Sequence, residues 1–95
     1  MPRQPNILLI TTDQQRYDHL GLKGVRGVDT PNLDRLGRDG VHSDRAYTSC
    51  PVCTPARLTL LTGQYPSIHG GFSIGVTVDP FPEPTVAGRL LEAGY

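Results

Sequence analysis

An α/β fold built on a parallel sheet is predicted by three features of this 95-residue sequence. The run Asn6-Ile7-Leu8-Leu9-Ile10-Thr11-Thr12 is continuously apolar and β-branched, the pattern of a strand buried on both faces. An abrupt polar cluster, Asp13-Gln14-Gln15-Arg16, closes that run. Open α/β sheets bind ligands outside the carboxyl ends of their strands, so Asp13 stands where a site is expected. Short segments with helix start and stop signals then follow, as crossover helices would.

Each element has its own local signals. Gly21, Gly24 and Gly27 punctuate a loop, at a spacing that is not the dinucleotide fingerprint. Thr30-Pro31-Asn32-Leu33-Asp34-Arg35-Leu36 predicts a short helix, with Thr30 as N-cap, Pro31 in the first helical position and Gly37 or Gly40 as the stop. Leu33 and Leu36 fall on one face. Weak alternation over Val41–Thr48 predicts a second strand. Cys53 or Thr54 is predicted to cap a helix of about two turns that Gly63 ends, with Pro55 in its first turn and much of its surface buried. Residues 64–84 read as a Gly- and Pro-rich loop. Thr85 then caps a last helix, Val86–Ala93, which Gly94 stops.

Composition narrows the function classes. Nine Lys and Arg balance nine Asp and Glu. That balance argues against a nucleic-acid-binding or membrane-surface protein, which carries a basic excess. Gly and Pro make about a fifth of the residues, which marks a turn-rich globular chain below the low-complexity range. The early apolar run Ile7–Ile10 is too short for a signal-peptide core or a membrane span, which predicts a cytoplasmic location. Two cysteines do not make a disulfide framework.

Chemistry concentrates at Cys53. A helix N-terminus presents unpaired N–H groups and the positive end of the helix dipole, which favour negative charge and bind oxyanions. Arg57 lies one turn on, on the same face. A nucleophile, an anion-binding terminus and a cation therefore converge within one turn. Blander readings stand beside this one. Cys53 could be a structural thiol. Cys50-Pro51-Val52-Cys53 is also a CxxC, which could be a redox pair or half of a zinc site completed from His19, His42 and His69. Cys50 itself reads as a packing residue, and Asp18, Asp34 and Arg35 as solvated or capping charges. His19 and His69 read as loop residues.

The stretch Cys53-Thr54-Pro55-Ala56-Arg57, followed by Leu58-Thr59-Leu60-Leu61-Thr62-Gly63, resembles the sulfatase signature: Cys, any residue, Pro, Ser or Ala, Arg, four residues, Thr-Gly. The segment ending in Asp13-Gln14 is similar to the first metal-binding segment of that family, and Thr30–Leu36 to the helix that follows it. Gln64-Tyr65-Pro66 and the final Glu92-Ala93-Gly94-Tyr95 extend the likeness over nearly the whole chain.

The resemblance implies an alkaline-phosphatase-like parallel-sheet sandwich, of which residues 1–95 are the N-terminal portion, truncated after the first strands and helices. It implies a sulfuric ester hydrolase. Cys53 is converted after translation to formylglycine by a formylglycine-generating enzyme that reads Cys53, Pro55 and Arg57. One hydroxyl of the hydrated aldehyde attacks sulfur to give a sulfo-enzyme, and the other collapses to the aldehyde and expels sulfate. Cys53 and Arg57 are then catalytic. Asp13, Gln14 and the modified Cys53 face a divalent metal, Ca²⁺ in first place and Mn²⁺ or Mg²⁺ otherwise. The substrate is a sulfate-ester small molecule or saccharide. Many sulfatases carry two acids where this chain has Asp13-Gln14. The same amide occurs in relatives that hydrolyse phosphonate monoesters and phosphodiesters, which is the alternative substrate class. The remaining metal ligands and the general acid are expected beyond residue 95, and the isolated chain is expected to be inactive.

Overall fold

Pro31 opens the first helix with a backbone angle already set for it. The computed structural model describes residues 4–95. They hold a 3₁₀ turn, Gly21–Lys23, and four helices: α1 Pro31–Asp39, α2 Cys53–Thr62, α3 Pro66–His69 and α4 Val86–Glu92. The chain divides into two compact units, the first ending at Asp44 and the second covering Arg45–Tyr95. No described helix is long and apolar enough to cross a membrane.

The predicted strands do not form. Among the described residues none is in a strand, neither at 6–12 nor at 41–48. Ile7, Leu8, Leu9 and Ile10 are exposed rather than doubly buried. A strand exists only through the partner that takes its N–H and C=O groups. With no ladder formed, β propensity alone does not hold the run in a sheet. The described residues are thus only helix and coil.

In the first unit the 3₁₀ turn and α1 are tied by Thr30 and Asp34. Thr30 stands at the predicted N-cap but does not cap α1 through its side chain. Its Oγ1 instead accepts the Gly21 N–H at 2.8 Å and donates to Asp34 Oδ1 at 2.7 Å. Asp34 Oδ1 also accepts the Leu22 N–H at 3.1 Å. Of the two readings, solvated or capping, Asp34 takes neither surface role in full: it is buried and accepts a backbone N–H. It satisfies donors of the 3₁₀ turn that would otherwise lose water without replacement. Gly21 packs so closely against this carboxylate that a Cβ there would overlap it. The helix runs on past Gly37 to Asp39 and stops at Gly40, whose N–H reaches the Leu36 carbonyl. Leu33 and Leu36 stay exposed. Asp34→Ala in the intact protein is expected to cost about 1–2 kcal/mol, because it orphans a part-buried N–H and a part-buried hydroxyl. Asp34→Asn should cost less, since its amide oxygen still accepts. Urea unfolding of the two variants against the parent measures both.

In the second unit α2 begins one residue earlier than expected. Val52, in extended conformation, is the N-cap, and its carbonyl accepts the Ala56 N–H at 3.0 Å. Cys53 is the first helical residue. Gly63 ends the helix in the left-handed region at φ 70°, where only glycine sits without strain. The helix is ten residues long, nearer three turns than two. Burial is confined to Pro55 and Leu58, so the expected wide apolar face is half exposed at Leu60 and Leu61. The predicted loop contains a further turn, α3, started by Pro66 and closed by Gly70 at φ 74°. It packs on α2, with Leu58 filling the space where a Cβ on Gly71 would go.

Helix α4 follows its predicted signals closely. Thr85 Oγ1 accepts the Gly88 N–H at 3.1 Å, and Glu83 Oε2 accepts the Thr85 N–H at 2.9 Å. At the other end the Tyr95 N–H bonds the Leu90 carbonyl and the Gly94 N–H the Leu91 carbonyl, with Gly94 at φ 87°. That pair of bonds is a Schellman motif.

Candidate active site

Cys53 owes its place to the chain before it. Thr48 Oγ1 accepts the Cys50 N–H and donates to the Cys50 carbonyl, a local turn that leads the chain toward extended Val52. Helix α2 then starts at Cys53, so the sulfur stands in the first turn, among N–H groups with no intrahelical acceptor. Cys53 is exposed and its thiol is free. Arg57 is also exposed and lies one turn further along the same helix. The predicted nucleophile and the predicted cation thus stand four residues apart on one helix. An anion at this end of α2 would meet the helix dipole, first-turn N–H groups and a guanidinium. Cys50 is half-buried and also free, so the CxxC pair carries no disulfide.

Asp13 and Gln14 share a bend in the first unit, both exposed. Gln14 takes φ 51°, the left-handed region that glycine ordinarily occupies. A non-glycine residue held there carries local strain of order 1 kcal/mol or more, the kind of outlier that collects at functional positions. The carboxylate of Asp13 and the amide oxygen of Gln14 are hard donors, suited in kind to a divalent cation such as Ca²⁺ or Mg²⁺. In number they fall short of the roughly six to eight oxygens that Ca²⁺ takes. Among the described residues no group of three or more His, Cys, Asp or Glu side chains is placed to hold a metal. The zinc alternative built on His19, His42 and His69 accordingly finds no ligand set.

The charges beside this bend are already engaged. Arg16 Nε and Nη2 bond the two oxygens of Asp18 at 2.9 and 2.6 Å, and His19 Nδ1 lies 3.0 Å from Asp18 Oδ1. The hydrogen bond from Arg16, with that from His19, holds the Asp18 carboxyl down at about 2. Lys23 Nζ bonds the Tyr17 hydroxyl at 2.8 Å and pairs with Asp44, which pulls that carboxyl below its ordinary range.

His69, expected to be a loop residue, with a place lining the cleft as the lesser alternative, is 3% exposed. Its Nδ1 accepts the Gly71 N–H at 3.1 Å, and its Nε2 lies 3.2 Å from Thr59 Oγ1. Thr59 Oγ1 in turn lies 2.9 Å from Ser49 Oγ. Ser49 and Thr59 line an open cleft of about 400 Å³, together with Tyr47, Thr48, Gln64 and Tyr65. The only local hint was the placing of His69 between Pro66 and Gly70-Gly71, which mark a single helical turn.

Comparison with known proteins adds an independent line. A family model described as Sulfatase matches residues 5–95. The chain is 40% identical to an arylsulfatase of Clostridium perfringens, over 97% of this chain and 19% of that protein. It is 45% identical to the steryl-sulfatase of Mus musculus, over 99% of this chain and 17% of that protein. Against arylsulfatase A of Homo sapiens the identity is 40%, over 98% of this chain and 19% of that protein. The chain thus spans about a fifth or less of the length of the curated relatives it matches. No solved structure gives a significant match.

Proposed function

The chain belongs to the sulfatase family, and from that premise we propose that it is the nucleophile-bearing N-terminal part of a sulfuric ester hydrolase. The observation that carries this reading is the placement of Cys53-Thr54-Pro55-Ala56-Arg57 at the exposed start of α2.

The residues of the chain divide the work. Cys53 is the residue converted to formylglycine, whose hydrate supplies one hydroxyl as nucleophile and a second for release of the product. First-turn N–H groups of α2 face the sulfuryl oxygens, and the dipole favours their charge. Arg57 donates to the same oxygens, stabilising the charge that builds on them as the ester is attacked. Asp13 and Gln14 would hold a divalent cation, Ca²⁺ in first place, which when bound supplies positive charge and Lewis acidity. The maturation partner is a formylglycine-generating enzyme acting at Cys53. Gln14 in place of a second carboxylate favours one further substrate class, phosphonate monoesters and phosphodiesters. Parallel assays with an aryl sulfate and an aryl phosphonate decide between the two.

A mass measurement tests the central claim. Trypsin cleaves after Arg45 and Arg57, which leaves Cys50 and Cys53 on one peptide. In mature, active protein this peptide is expected to have exchanged SH₂ for O once and to retain one alkylatable thiol, that of Cys50. An active preparation whose peptide keeps both thiols would overturn the proposal.

A further inference from the structure

Resting on the sulfatase reading of α2, we propose that His69 is a positioning residue for the helix that carries Cys53 and Arg57, acting through Thr59 as a neutral imidazole protonated on Nε2. The tautomer follows from its neighbours. The Gly71 N–H can only donate, and it lies 3.1 Å from Nδ1. Nδ1 therefore accepts and carries no proton. In the neutral ring the proton sits on Nε2, which faces Thr59 Oγ1 at 3.2 Å. Thr59 accepts from the ring and turns its own proton to Ser49 Oγ at 2.9 Å. The bonds run in one direction, from Gly71 through His69 and Thr59 to Ser49.

These residues come from three pieces of the second unit. Thr59 is on α2, His69 and Gly71 belong to the turn that closes α3, and Ser49 lies in the segment leading into Cys53. Leu58, next to Thr59, fills the space against Gly71. Apolar contact of this kind holds α2 down but tolerates rotation, because the hydrophobic effect has no direction. A hydrogen bond weakens steeply with angle. The part-buried His69–Thr59 bond therefore sets the rotation of α2 about its axis, and with it the bearing of Cys53 and Arg57. The bond to Ser49 sets the approach of the chain into the first turn. The ring itself is 3% exposed, which keeps water from the His69 end of the bond.

Thr59→Val, Thr59→Ser and His69→Gln in the intact protein test this. Nitrogen-15 NMR of the parent is expected to show an unprotonated Nδ1 and a protonated Nε2 on His69 at neutral pH. Thr59→Val keeps the shape of the side chain and removes the hydroxyl. It is expected to lower kcat about tenfold with KM within about twofold, the signature of a misplaced reacting group rather than lost binding. Thr59→Ser should restore kcat to within about threefold, and His69→Gln, which keeps a donor near the Nε2 position, should fall between them. Amide exchange over Ala56–Leu58 should speed up in Thr59→Val and recover in Thr59→Ser. A proton on Nδ1 in the parent would overturn the proposal, as would a Thr59→Val variant with unchanged kcat and unchanged exchange. A parent without sulfatase turnover would sink the sulfatase reading instead. In that case the ring spectrum and the exchange pattern still decide whether His69 holds α2.

Discussion

Cys53→Ala in the intact protein is expected to lower kcat by about 10⁴-fold or more, since under the proposed function it deletes the nucleophile outright. Stability should move by less than about 0.5 kcal/mol, the usual range for an exposed position without structural duties. Cys53 is exposed, and its side chain makes no cap bond to α2; the cap carbonyl is that of Val52. Alanine keeps the helix start intact and is a better helix former than cysteine. Activity and folding should therefore separate cleanly. Steady-state kinetics with an aryl sulfate, alongside thermal unfolding, measures both. A variant that keeps more than about a hundredth of the parent kcat would show that the chemistry does not pass through position 53.

The second large effect is expected at Asp13. Asp13→Ala removes the only carboxylate of the Asp13-Gln14 bend and leaves one neutral amide oxygen. Loss of even an outer-sphere partner of a metal typically costs about 10–100-fold, so loss of a direct ligand should lower kcat/KM by at least about 100-fold. A readout independent of turnover is the thermal midpoint with and without added Ca²⁺. A cation that binds only the folded protein raises its stability in proportion to the logarithm of ligand concentration over Kd. The parent should show this rise and lose it with a chelator. Asp13→Ala should need about 100-fold more Ca²⁺ for the same rise. An unchanged response would remove Asp13 from the metal site.

Much of the helical structure was legible from local chemistry. Pro31, Gly63, Thr85 and Gly94 mark helix ends through their own backbone angles or side-chain bonds, which neighbouring residues are enough to dictate. The Cys53–Arg57 pair was legible for the same reason, because residues four apart on a helix share a face whatever surrounds them. The Pro66–His69 turn escaped because a four-residue helix leaves almost no periodic signal.

The rest depended on which polar groups the folded chain brings together. Asp34 became a buried acceptor because Leu22 and Thr30 present donors to it. His69 became a buried link because Thr59 and Gly71 flank its two nitrogens. The apolar run at 6–12 met no strand and stayed exposed. What the sequence by itself determined is where helices begin and end and which reactive side chain stands at the start of α2. Only the tertiary structure decided which polar groups are buried and whether a β-prone run becomes a strand. Helical hydrogen bonds close within four residues of chain, whereas burial and sheet pairing need a partner that the local sequence does not specify.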